Sequence, residues 1–112
     1  MVDDAHATGV FGKQGKGMIE HCGLEGKIDI VMGSLSKAVG SIGGFIAGSK
    51  PLIDFLKNKA RPFIYTTALP PAVCAASMAG LTLIQEDVSL IDTLWKNIAF
   101  LKSRLSTFMD TI

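Results

Sequence analysis

"KIDIVMGSLSKAVGSIGGFIAGS", Lys27 to Ser49, sets two short apolar runs on either side of a loop made of serines, glycines and one lysine. Ile28, Ile30, Val31 and Met32 are apolar, Ile and Val are β-branched, and Gly33 ends the run, so a short buried strand is predicted. "GGFIAGS", Gly43 to Ser49, predicts a second strand between turn signals. Lys37 therefore lies on a connection between strands, where binding and catalytic groups concentrate. A lysine in a helix would not be followed by Gly40, Gly43 and Gly44, which disfavour helix interiors but let a backbone come close to a bound group.

Outward from this core, "KPLIDFLKNKA" puts Leu52, Ile53, Phe55 and Leu56 on one helical face, with Pro51 allowed in a first turn. Arg61-Pro62 is read as its break and "FIYTT" as a short extended piece. Pro70-Pro71 then opens a helix rich in Ala72, Ala75, Ala76, Ala79 and Gly80, whose small side chains permit close packing. From Leu90 to Phe108 apolar residues recur at three-and-four spacing, predicting an amphipathic helix over Ser89 to Met109, with Ser89 and Asp92 as a capping box. No repeat, low-complexity tract or linker divides the chain, and the pattern of strand, loop, strand and helices is that of an α/β protein.

The 112 residues are 48% hydrophobic, which suits one modest globular domain and excludes a disordered tail. A net charge of +1 offers no field for nucleic acid or an anionic membrane, so no nucleic-acid or membrane partner is expected. The apolar run around Ala72 to Ala76 is too short to span a bilayer. Cys22 and Cys74, few and far apart, suit a reducing, cytoplasmic setting. Met1-Val2 runs into Asp3-Asp4 with no room for the strand it finishes, and the last helical pattern stops at Thr111-Ile112 without a capping glycine, so a fragment is expected.

"VDDAHATG", Val2 to Gly9, ends an apolar stub with two carboxylates and an imidazole. Beyond the carboxyl end of a strand in an open α/β sheet, Asp3 and His6 could face a ligand crevice; the plainer reading is a capped turn with solvated acids. Lys37 also has a plain reading as a solvent-facing loop lysine, but Ser34, Ser36 and the glycines favour an amine beside a bound phosphate, and a partly desolvated amine can attack a carbonyl. "SLSK" fits the SxxK pattern with Ser34 as nucleophile, but SDN and KTG are absent and the glycines oppose the helix that pattern opens. A zinc site from His6, His21 and Cys22 lacks regular ligand spacing, and Cys74 reads as a small core residue. The glycines match neither GxGxxG nor a P-loop. An acid, a histidine, a hydroxyl-flanked lysine and the hydroxyl pair Thr66-Thr67 are together the groups that a pyridoxal 5'-phosphate (PLP) site needs.

Three motifs in order, "VDDAHATGVFGKQGKG", "DIVMGSLSKAVGSIGGFIAGS" and "RPFIYTTALPPA", resemble the α-oxoamine synthases, PLP enzymes of the aspartate-aminotransferase fold type I. The resemblance covers most of Val2 to Ala72. It implies that Lys37 is the Schiff-base lysine, that Asp3 pairs with the pyridine nitrogen, and that His6 bonds the cofactor's phenolic oxygen. Ser34 stands where the family usually has a phosphate-binding threonine, and Asp4 has no such role. Thr66 and Thr67 match a hydroxyl pair that reaches across a homodimer to the other subunit's phosphate. The family condenses an amino acid with an acyl thioester, carried by CoA or acyl-carrier protein (ACP), and releases carbon dioxide. "DDAH" and "TALPPA" are more similar to the members that join L-alanine to a pimeloyl thioester in biotin biosynthesis than to those that use glycine and acetyl-CoA. The resemblance also implies that residues 1–112 are part of the large, cofactor-binding domain, without the family's N-terminal strands or C-terminal domain, and inactive alone. A non-catalytic packing or dimerisation module is the alternative of another class.

Overall fold

The computed structural model describes residues 1–109. Its centre is β2 (Ile30–Ser34), flanked by β1 (Val2–Asp3) and β3 (Gly44–Gly48) in a three-stranded sheet of order β1-β2-β3. β1 runs parallel to β2, with Asp3 opposite Met32, and β3 runs antiparallel, with Ser34 opposite Gly44. Antiparallel neighbours need only a short connection, and the loop carrying Lys37 supplies it. Parallel neighbours need a long one, which here spans residues 4–29 and contains the four-residue helix α1 (Met18–His21), an element the periodicity did not predict. Phe45, opposite Gly33 on the neighbouring strand, lays its ring where a side chain on that glycine would stand.

The helices follow the sheet. α2 (Lys50–Lys59) accepts Pro51 in its first turn and ends at Ala60, whose ψ of 102° is extended. The break thus comes one residue before the predicted Arg61-Pro62, and Phe63-Ile64 are not extended: they belong to α3 (Arg61–Ile64). Pro62 occupies the first turn of that helix, where the missing N–H has no intrahelical acceptor to lose, so it starts a helix as readily as it ends one. α4 (Pro71–Glu86) opens at the predicted prolines and runs six residues past Gly80, and α5 (Ser89–Met109) matches its predicted span. The Ser89 capping box does not form. Instead the Asp87 carboxylate accepts the Ser89 N–H at 3.0 Å, and the Val88 carbonyl accepts those of Ile91 and Asp92, so the cap lies one residue upstream. The predicted ending at Thr111-Ile112 lies outside the described residues, and the side chain at Phe108 is not described.

The Cα radius of gyration is 17.1 Å, against about 13 Å for a compact chain of this length. Buried apolar side chains are confined to Ala5, Ala7, Leu35, Val39 and Ile91, while Met78 and Phe100 are 70% and 62% exposed. Cys74 is exposed as well and is no core residue. Among the described residues nothing lies against the apolar faces that the helices leave open; most of what is buried is the underside of the loops that follow β1 and β2.

Candidate active site

Successive side chains on a strand point to opposite sides, and at the end of β1 this separates the two adjacent acids. Asp3 is exposed, with Oδ1 accepting the Ala5 N–H at 3.0 Å. Asp4 is only 1% exposed. Its Oδ1 accepts the Met18 N–H at 2.9 Å and its Oδ2 the Thr8 hydroxyl at 3.1 Å. Its carbonyl closes the following turn by accepting the N–H groups of Ala7 and Thr8, both at 3.0 Å. His6 rides exposed on that turn.

The second loop is held in the same manner. Leu35 and Val39 are buried and bracket Ser36, Lys37 and Ala38, which are therefore turned outward. The Leu35 N–H reaches the Gly43 carbonyl at 2.9 Å, the Ser41 N–H returns to Leu35 at 2.8 Å, and Gly40 N–H closes on Lys37 at 2.9 Å. Gly40 adopts φ 70°, a left-handed turn that most side chains resist. Ser34 Oγ lies 2.8 Å from Ser36 Oγ and accepts the Ser36 N–H at 3.2 Å. Among the described residues no carboxylate pairs with Lys37; the ion pair present is Lys50 with Asp54.

Close contacts join the two loops. Gly9 approaches Ala38 so nearly that a Cβ on the glycine would stand 2.6 Å from Ala38 Cβ. Helix α4 then clamps the lysine loop from behind. A Cβ on Gly80 would lie 2.5 Å from the Val39 carbonyl oxygen, and the buried Ser77 hydroxyl donates to Ser41 Oγ at 2.8 Å. Ile84 packs at Gly9 and Gly15, and Ile91 at Gly15, so α4 and α5 also close over the first loop.

The structure thus brings Asp3, His6, Ser34 and Lys37 to one edge of the sheet, on or just beyond the carboxyl ends of the parallel pair β1 and β2. Thr66 and Thr67 are not joined to this group: every residue from Arg61 to Pro70 is exposed, and it is Leu69 that meets the lysine loop, at Gly43. Asp4, Ser41 and Ser77 were not foreseen as supports, whereas close packing was expected at Gly80 and is met there by Val39. Strand alternation at "DD" was the available signal for Asp4, since one of two neighbouring acids must turn inward.

Two apolar grooves lie elsewhere. One, of about 530 Å³, is lined by Phe11, Ile91 and Trp95; the other, of about 570 Å³, by Met32, Phe45 and Phe63. Neither is lined by Asp3, His6, Ser34 or Lys37. Among the described residues no three His, Cys, Asp or Glu side chains could hold a metal ion; His21 instead packs edge-on to Phe11 at 5.5 Å. Nor is any helix among them long and apolar enough to cross a membrane.

Residues 1–111 match the family described as aminotransferase class I and II. 8-Amino-7-oxononanoate synthase 1 of Bacillus subtilis (strain 168) is 50% identical over 105 residues, which are 94% of this chain and 27% of that protein. A lysine-to-alanine variant of serine palmitoyltransferase from S. paucimobilis, solved with a bound PLP–myriocin aldimine, superimposes with a TM-score of 0.89 at 37% identity, over 95% of this chain and 28% of that one. 8-Amino-7-oxononanoate synthase from Francisella tularensis gives 0.78 at 32% identity, over 95% and 32%. The chain spans about a quarter of the length of the curated relatives it matches, 27% for the Bacillus subtilis protein.

Proposed function

The chain belongs to the aminotransferase class I and II family, and from that premise we propose that it is the lysine-bearing part of the large domain of a PLP-dependent acyltransferase, an 8-amino-7-oxononanoate synthase, that joins L-alanine to a pimeloyl thioester with loss of carbon dioxide, in biotin biosynthesis. The observation that carries the reading is the parallel pairing of Asp3 with Met32 together with the Gly9–Ala38 contact, since these put an acid, an imidazole and an amine on one edge.

The donor set fits the cofactor. Lys37 offers an outward amine with no ion pair among the described residues, Asp3 keeps one carboxylate oxygen without a hydrogen bond among them, and Ser34 supplies a hydroxyl at the strand end. Lys37 would hold the cofactor aldehyde, Asp3 its pyridine nitrogen, His6 its phenolic oxygen and Ser34 its phosphate. When bound, PLP supplies an electron sink for the charge left on the amino acid's α-carbon. Lys37 Nζ, once free of the aldehyde, would take the proton from that carbon and later return one, acting as general base and then acid. Asp3, as an anion, would keep a proton on the ring nitrogen and so maintain the sink.

Thr66 and Thr67 are exposed and lie apart from the other four, which favours their use by a second copy of the chain in a homodimer. The two free cysteines, both exposed, favour a reducing, cytoplasmic setting. The test uses the full-length protein. Mixing it with PLP should give a visible absorbance band that Lys37→Ala removes; a band that survives the substitution rejects the reading. Turnover should be fastest with L-alanine and a pimeloyl thioester on CoA or ACP. Faster turnover of glycine with acetyl-CoA, or of L-serine with a palmitoyl thioester, would reassign the substrate within the family.

A further inference from the structure

Asp4 is the most deeply buried large side chain of the chain's described residues, and the chemistry above does not use it. We propose that Asp4 is a positioning residue, whose carboxylate fixes the Asp4–Thr8 turn and through it the aim of Asp3 and His6, an inference that rests on the reading of those two as cofactor contacts. The residue is tied in three directions. Its N–H extends the β1–β2 ladder to the Met32 carbonyl at 2.7 Å, its carbonyl closes the turn that carries His6, and its carboxylate joins that turn, at Thr8, to Met18, fourteen residues on. Gly17, at φ 98°, brings its backbone against the same carboxylate, in space that a side chain would need.

The two carboxyl oxygens take one partner each, the Met18 N–H on Oδ1 and the Thr8 hydroxyl on Oδ2. Asparagine would keep both bonds, its Oδ1 accepting from the Met18 N–H and its Nδ2 donating to Thr8 Oγ1 while that hydroxyl donates to the residue's carbonyl, whereas alanine removes both. Thr8 Oγ1 lies 3.1 Å from both the carbonyl and Oδ2 of Asp4, so the threonine hydroxyl is the pin between the turn and the buried acid. Removing either partner would let the turn rotate while leaving Asp3 and His6 chemically intact.

The experiment compares Asp4→Ala, Thr8→Val and Thr8→Ser in the full-length holoenzyme. Displacement of site groups by about 1 Å is enough to slow chemistry on the order of 100-fold. Asp4→Ala and Thr8→Val should therefore lower kcat by roughly 10- to 100-fold with a much smaller change in KM for the amino acid, and should alter the visible circular dichroism of the bound cofactor. Thr8→Ser, which keeps the hydroxyl, should leave both at their parental values. Parental kcat and parental dichroism in Asp4→Ala and Thr8→Val would overturn the proposal, as would a loss confined to melting temperature; if Asp4→Ala does not fold, the Thr8 pair decides alone. All three variants retain Lys37, so the Lys37→Ala result tests the site reading separately.

Discussion

Replacing Gly80 by alanine sets two effects of opposite sign against each other. Helix propensity alone favours alanine in the interior of α4 by about 1 kcal/mol. The structure opposes it, because the new methyl would stand 2.5 Å from the Val39 carbonyl oxygen and 3.0 Å from Val39 Cγ1. Neither neighbour gives way easily, since one is backbone and Val39 is buried. Either α4 retreats and stretches the 2.8 Å Ser77–Ser41 bond, or the lysine loop shifts and carries Lys37 with it. Overpacking of this kind costs about 1–3 kcal/mol, and a buried hydrogen bond contributes about 1 kcal/mol more, so a net loss of about 1–3 kcal/mol remains after the propensity gain. Urea unfolding of the full-length protein should show a lower midpoint for Gly80→Ala, and its kcat should fall. Ser77→Ala made in the same background should add less than it does alone, because both substitutions loosen one contact. A Gly80→Ala protein more stable than its parent would refute the reasoning, as only helix propensity would then be acting.

Trp95 is the sole tryptophan, and its indole N–H donates to the Val10 carbonyl at 2.9 Å beside the edge-on ring of Phe11, so Phe11→Ala should shift its emission to the red; an unchanged spectrum would mean that α5 does not seat there. Gly17→Ala combines a positive φ with a methyl driven into the Asp4 carboxylate, and should destabilise by more than about 1 kcal/mol in the same urea assay; a midpoint equal to the parent's would contradict the close approach. Asp54→Asn breaks an exposed pair with Lys50, whose side chain is 85% exposed, and should move stability by no more than about 0.5 kcal/mol; a larger loss would show that the pair is held more rigidly than its exposure implies.

Much of this arrangement was legible in the sequence because period and punctuation agree there. β2 and β3 were visible as apolar runs closed by glycine, and α4 and α5 as long patterns opened by Pro71 and Ser89. The lysine loop followed from its glycines, and the strand-end acid and histidine from their place after an apolar stub. What failed did so where two local meanings compete. Pro62 could stop one helix or start the next, and the chain does the latter. Asp87 captured the N–H that Ser89 and Asp92 were expected to organise. Asp4 and Asp3 are chemically alike in a sequence, and only the pairing of β1 with β2 decides which of them turns inward. The support from Ser77 depends on a contact 36 residues away, a distance at which no local pattern speaks.

The placement of the few buried side chains has a consequence for motion. In most proteins helices hold their amide hydrogens longest and connecting loops exchange first. Here Leu35, Val39, Ala5 and Ala7 are sealed beneath the strand-end loops, whereas α5 presents Phe100, Leu101 and Leu105 to solvent. The order should be reversed, with the amides of Leu35 and Ser41 outlasting those in the distal turns of α5 when the chain stands alone. A ligand arriving at such an edge would meet loops that are already set, so little of its binding energy would go into ordering them.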